Sequence, residues 1–309
     1  MALHELAAPT LPASCLDTLR ELGELKRVRS AAQRGSIADR LFARGWALLA
    51  SGATPEAVCG EVTGAALCAV RLGDIDALLL RRLGVAPERA SSILHCGLQE
   101  VLAELPTPLA APSIATLGQA LEPTLLEHDP PAFVTLLSQQ PRAGVTCPGK
   151  PRILLEPPES HAEHCLMVAV YGVLLAPAYG AAPVTVFLAS MAHHLHNALL
   201  PDSGFAGEVL LGEQLEPVMR RATHMALAEL PAELAGIVQE ACMVLPNADT
   251  PEGRAFHAAD TLDRVLQIEQ HLRSGHITMR QVLHDMELVH EGPVKPFQDR
   301  LLAELGLPA

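Results

Sequence analysis

Three pairs of side chains in the second half of the chain share one spacing: His161 with His164, His193 with His196, and His257 with Asp260. On a helix, residues i and i+3 lie on one face, so each pair can aim two donor atoms at a common point. Imidazole and carboxylate are ligands for divalent first-row metals. Helical folds build metal sites by converging such pairs from several helices. His194 and His224 are further candidate ligands. A single histidine on a helix is ordinarily a surface or core residue. The case for a metal rests on three pairs falling within about a hundred residues.

The elements that must position these residues follow from composition and punctuation. The chain has 309 residues, 49% hydrophobic and 18% charged, which excludes disorder and allows two cores. Only 3% of residues are aromatic, yet there are fourteen histidines, eleven of them between His161 and His290. Leu and Ala dominate the apolar residues and β-branched runs are few, so the expected class is all-α. In the first half, Leu16–Leu25 carries one apolar face, Ser36 is placed to cap a helix ending at Gly52, and Thr54-Pro55-Glu56 opens another. Breaks at Gly73-Asp74 and Gly84 precede a helix that starts at Ala86-Pro87-Glu88 and ends near Leu105. Eleven prolines between Pro106 and Pro158 mark a connector with room for one short helix near Pro131–Ser138. Helices are then expected over 159–176, 184–198, 213–229, 232–245, 252–274 and 278–290. The expected organisation is an N-terminal helical bundle (1–110), a connector (111–154) and a metal-binding helical domain (155–309).

The net charge of −13 is uneven. Residues 1–150 carry 13 Lys/Arg against 15 Asp/Glu, and residues 151–309 carry 9 against 20. An acidic field attracts cations and repels polyanions, which argues against duplex nucleic acid as a partner. The basic cluster Lys26, Arg27, Arg29, Arg34, Arg40 and Arg44 reads as a solvated helix face, with phosphate contact as the alternative. Seven scattered cysteines without C-x-x-C argue against a disulfide framework or zinc ribbon, and a reducing cytoplasmic setting is expected. Residues 165–192 lack charge, but Pro177, Gly180 and Pro183 divide them. Two short buried helices are expected there, with no membrane span. A protein partner or a second copy is expected to use the N-terminal half, if either binds.

Glu163-His164-Cys165-Leu166-Met167-Val168-Ala169 resembles the E-H-S-x-x-V-A helix of HD-domain proteins. Ala192-His193-His194-Leu195-His196-Asn197 falls where that family has its L-H-D-x-x-E dyad. Ala258-Ala259-Asp260-Thr261-Leu262-Asp263-Arg264 is similar to its A-D-x-L-D-x helix. The spacings of 29 and 67 residues are ordinary for the family, and the resemblance covers about residues 155–290. It implies an all-α, metal-dependent phosphohydrolase in which His164, His193 and Asp260 hold a Mn, Fe, Co or Zn ion. The departure is His194, standing where the family carries an aspartate that binds metal and helps orient the attacking water.

The chemistry implied is attack of metal-bound hydroxide on a small phosphate ester or nucleotide. Arg220, Arg221 or Arg264 would neutralise the phosphoryl oxygens, and Glu208 would act as general base. Arg264, one turn after Asp260, is equally a structural partner for it. Two other readings use the same fold. One is an HD-type diiron oxygenase using the additional nitrogens of His196, His224 and His257. The other is a noncatalytic regulatory or scaffolding module, favoured by the missing aspartate. Asp202 is expected in a turn or near the metal ligands. His271, His276, His290 and the Leu283-His284-Asp285 dipeptide site are read as surface.

Overall fold

The computed structural model describes residues 11–31, 33–106, 109, 129–272 and 278–307. Among these, helices dominate and only four residues plus a dipeptide form strands, so the fold is all-α. The expected surface site His276 and the connector stretch 111–128 lie outside the described residues.

The first half contains α1 (Cys15–Gly23), α2 (Ile37–Ala50), α3 (Pro55–Leu72), α4 (Ala77–Arg82) and α5 (Pro87–Glu104). Their starts follow local chemistry. Ser36 Oγ accepts from the Asp39 N–H while the Asp39 carboxylate accepts from the Ser36 N–H, a reciprocal cap for α2. Thr54 caps α3, with Pro55 preset for its first turn. Strands β1 (Arg29–Ser30) and β2 (Gln33–Ser36) pair antiparallel just before α2. Runs this short carry no legible periodicity.

The second half contains α6 (Ala132–Gln139), α7 (His161–Tyr179), α8 (Pro183–Ala192), α9 (Gly204–Leu211), α10 (Leu215–Leu227), α11 (Ala232–Ala241), α12 (Pro251–Leu272) and α13 (Lys295–Glu304). Between α6 and α7 the connector folds back on itself through the antiparallel bridges Pro141 to Ser160 and Val145 to Ile153.

The axis of the molecule is α7. It is the one described helix long and apolar enough to cross a membrane, but it is mostly buried inside the protein. It is apolar on every side because it is covered on every side: α8 and α12 lie along it, and α2 and α3 reach it from the first half. Tyr171 on α7 donates to the Leu19 carbonyl on α1 at 2.7 Å. Trp46 on α2 meets Phe133 on α6 edge to face, with centroids 5.0 Å apart. One apolar cluster thus runs from Leu11 to Leu307. Gly172 allows the closest helix approach, since a Cβ there would stand 2.5 Å from Val186 Cγ1 of α8.

Three expectations need correction. The helix expected over 184–198 stops at Ala192, and the chain resumes as a tight 3-10 turn over Leu195–Ala198. His193 and His196 therefore do not share one continuous α-helical face. The segment expected to be helical over 278–290 makes a single wide turn over Gln281–Asp285, and Glu287 then takes a left-handed φ of 50°. The Leu288 N–H bonds back to the Val282 carbonyl, which closes a turn where the helix would have continued. Finally, Lys26 is no part of a solvated face: its side chain is 3% exposed. Arg40 and Arg44 of the same basic cluster pair with Asp74 and Glu61.

Five of the seven cysteines are buried, Cys96 is exposed, Cys242 is intermediate, and all seven are free thiols.

Candidate metal centre

Three helix segments meet at one point. The first turn of α7 supplies His164, the residues just past the end of α8 supply His193 and His194, and the middle of α12 supplies Asp260. The start of α7 is fixed by a second reciprocal cap, with Ser160 Oγ accepting from Glu163 N–H and the Glu163 carboxylate accepting from Ser160 N–H. Past Ala192 the backbone leaves the helix, and His194 has φ −111° and ψ 20°. This break lets two consecutive histidines face the same centre, which no regular helix permits.

His164, His193 and His194 each offer a ring nitrogen within 4.8 Å of the others. Their outer hydrogen bonds decide which nitrogen faces inward. His164 Nδ1 lies 2.8 Å from Asp263 Oδ2, His193 Nδ1 lies 2.6 Å from the Ser190 carbonyl, and His194 Nδ1 lies 2.8 Å from Asn197 Oδ1. The Asn197 amide nitrogen is already spent on the Leu200 carbonyl, so its oxygen is the group facing His194. All three partners are acceptors, so each Nδ1 carries the proton and each Nε2 keeps its lone pair. His164 Nε2 and His193 Nε2 stand 3.1 Å apart. Asp260 Oδ1 lies 3.2 Å from His164 Nε2 and 4.0 Å from His193 Nε2.

Electrostatics keep the imidazoles neutral. Burial, and then the positive charge of Arg142, pull His164 down to about 4. Burial and the neighbouring rings hold His193 and His194 well below the ordinary histidine value. Burial works against the charge on Asp260, but His164 and the Arg264 guanidinium more than offset it and keep the carboxylate ionised. Two lone pairs facing each other at 3.1 Å beside a partly buried carboxylate are mutually repulsive, and a cation between them reverses the sign. Three imidazole nitrogens and one carboxylate oxygen form a donor set suited to Zn, Fe, Mn or Co. Protonated Nδ1 atoms tied to acceptors are how proteins orient histidine ligands.

The centre forms the floor of a cleft of about 570 Å³, within the range of small-molecule sites. Arg142, Arg152 and Arg264 line it, with Glu208, and Phe205 stacks on His290 with ring centroids 4.0 Å apart. Arg142 Nη1 stands 3.4 Å from His194 Nε2. Arg264 Nη1 lies 3.8 Å from Asp260 Oδ2, and its Nη2 donates to the Leu288 carbonyl. Arg264 therefore lines the cleft while holding Asp260 and the 286–290 turn. Burial, then Asp202, raise the Glu208 carboxyl.

Other candidates fall elsewhere. His161 is fully buried beside the centre, its ring centroid 4.7 Å from that of His194. Neither of its nitrogens has a hydrogen-bond partner among the described residues, and Nε2 stops 3.4 Å from Asp202 Oδ2. His196 is one ring further out, 5.5 Å between centroids from His194. His257 is buried one turn before Asp260 and faces the Leu245 and Asn247 backbone. His224 is exposed on α10, as is Arg221, and Arg220 pairs with Glu216 on that same solvated face. Asp202 serves a turn, accepting from the Gly204 and Ala143 N–H groups at 2.8 Å each. His290 is at the cleft and not on the open surface.

Sequence reasoning missed Arg142, Glu159, Asp263 and Lys26. Asp263 had a local signal, lying three residues after Asp260 on one helix face. Arg142 lies in the Pro-rich connector and Lys26 in a basic cluster, where nothing local singles them out. Comparison with protein-family models, curated proteins and solved structures returns no match to this chain.

Proposed function

We propose that this chain is an HD-type metalloprotein that hydrolyses a small phosphate ester, using one divalent first-row ion. The observation that carries the reading is the grouping of three histidine rings at the floor of an arginine-lined cleft, with the Nε2 atoms of His164 and His193 standing 3.1 Å apart and each Nδ1 on an acceptor. His164, His193, His194 and Asp260 would hold the ion. When bound, such an ion supplies a water acidic enough to ionise near neutral pH.

The remaining work falls to the protein's own groups. Arg142, beside His194 and lining the cleft, takes the oxygens of an anionic substrate. Arg264 keeps Asp260 ionised and adds a second positive charge on that side. Glu208, at the rim with a raised pKa, is the group placed to carry a proton to or from the leaving oxygen. Phe205 and His290 wall one side of the cleft. Relative to the HD pattern, His194 exchanges a carboxylate for a neutral ring. That leaves the filled centre one unit more positive and favours anion binding.

The test is elemental analysis of chelator-stripped protein after reconstitution with Mn, Fe, Co and Zn, followed by phosphate release from a panel of nucleotides and sugar phosphates. Retention of about one ion per chain with phosphate release, both lost in His193→Ala, is the expected result. Protein that retains no metal overturns the reading. Metal retention with no phosphate released overturns the hydrolase and leaves a noncatalytic metal module, and iron with oxygen consumption points to the oxygenase.

A further inference from the structure

Lys26 belongs to the tight turn Glu24–Lys26 that follows α1, far in sequence from every ligand of the centre. Its ammonium is 2.6 Å from Asp263 Oδ1 and 2.5 Å from Glu159 Oε1, in a pocket where the three side chains are between 1% and 8% exposed. Burial alone would push the ammonium down, and Asp263 with Glu159 more than reverse that, so Lys26 is held charged. Each carboxylate has a second oxygen, and each second oxygen leads to the centre. Asp263 Oδ2 receives the His164 Nδ1 proton at 2.8 Å. Glu159 Oε2 lies 3.7 Å from Arg142 Nε, and Arg142 Nη1 lies 3.4 Å from His194 Nε2. Glu159, His164 and Asp263 by themselves form a second group with metal-ligand spacing. The ammonium already sits on both of its carboxylates.

We infer that Lys26 is a positioning residue for the metal centre, a fixed internal cation that holds His164 through Asp263 and Arg142 through Glu159. The inference rests on the metal reading above and adds a residue of the N-terminal half to it. With Oδ1 pinned by Lys26, the Asp263 carboxylate cannot rotate about its Cβ–Cγ bond, and Oδ2 stays aimed at His164 Nδ1. This fixes both the plane of the His164 ring and the direction of its Nε2 lone pair. Through Glu159 the same ammonium sets the place of Arg142 between the cleft and His194. A merely structural ion pair would need neither second oxygen.

The experiment is a titration of chelator-stripped full-length protein with Co²⁺, read by its visible absorption band, in wild type, Lys26→Met, Lys26→Arg and Arg40→Met. The last breaks a partly buried ion pair with Asp74 that touches none of the four candidate ligands, and so reports general destabilisation. Lys26→Met is expected to weaken Co²⁺ binding by about 10- to 100-fold and to change the band shape. Lys26→Arg recovers part of the affinity, and Arg40→Met binds as wild type. Where Lys26→Met does not fold, Lys26→Met/Glu159→Gln removes one of the two stranded carboxylates and is measured instead, with the same loss expected. Wild-type affinity and spectrum in Lys26→Met, or in the double variant measured in its place, or an equal loss in Arg40→Met, overturns the inference. A wild-type protein that gives no Co²⁺ band overturns the metal reading itself, and the role of Lys26 with it.

Discussion

Replacing Gly172 by alanine probes whether the centre depends on close packing of α7 against α8. In an unencumbered helix interior the substitution stabilises by about 1 kcal/mol. Here the new Cβ would stand 2.5 Å from Val186 Cγ1, where carbon atoms prefer separations of about 3.5–4.0 Å. Val186 is fully buried, so the clash is relieved by shifting α8 roughly an ångström, and overpacking of this kind costs about 1–3 kcal/mol. The two terms leave Gly172→Ala less stable by about 1 kcal/mol. Because His193 and His194 directly follow α8, the same shift moves them away from His164, and Co²⁺ affinity falls with it. In a Val186→Ala background the obstructing methyl is gone, and alanine at 172 stabilises by about 1 kcal/mol. The assay is urea unfolding of the four proteins of this cycle, with Co²⁺ titration alongside. The sign of the alanine effect must reverse between backgrounds. Stabilisation in both would refute the close approach of α7 and α8.

Two further outcomes follow from the site. In chelated protein, His164 is held at about 4 while an unfolded histidine titrates near 6.5, so the unfolded chain takes up the proton first. Stability contributed by His164 is full above pH 6.5 and is lost as pH falls towards 4, amounting to about 3 kcal/mol across that window. Glu163, raised to about 7 by burial and Asp39, works in the opposite sense over much of the same range. The informative quantity is therefore the difference in pH dependence of urea midpoints between wild type and His164→Gln. Parallel curves would refute the assignment. His224→Ala and His257→Ala are expected to leave Co²⁺ affinity within about twofold, because neither ring joins the three-histidine group. A large loss in either would place the metal elsewhere.

The helices of the first half were legible because their starts are local. Ser36, Thr54 and the Pro55 and Pro87 first turns each specify a boundary without reference to the rest of the chain. The all-α class and the buried pair α7 and α8 were legible from composition and from Gly180 and Pro183, whereas α7 runs on through Pro177 to Tyr179. The centre was legible only in outline. His164, His193, His194 and Asp260 were all candidates, but i,i+3 spacing on a continuous helix was the wrong reason for the dyad region. The helix break at His194 has no glycine or proline to announce it, and it is held by the Asn197 side chain and by packing. His224 shows the opposite failure, a candidate by residue type that the turn of α10 sends to solvent. Lys26 and Arg142 were illegible because their partners lie 237 and 52 residues away in sequence.

The continuity of the core bears on how the chain can be divided. A fragment beginning at residue 155 would keep His164, His193, His194 and Asp260, but it would expose the faces of α7 that α2 and α3 cover. Tyr171 would lose the Leu19 carbonyl, and Asp263 and Glu159 would lose the cation between them. The first half therefore carries none of the four candidate ligands and yet is not an appendage. It supplies one wall of the core and the counter-charge beneath the centre, so a cut at the connector would leave both pieces with exposed core faces.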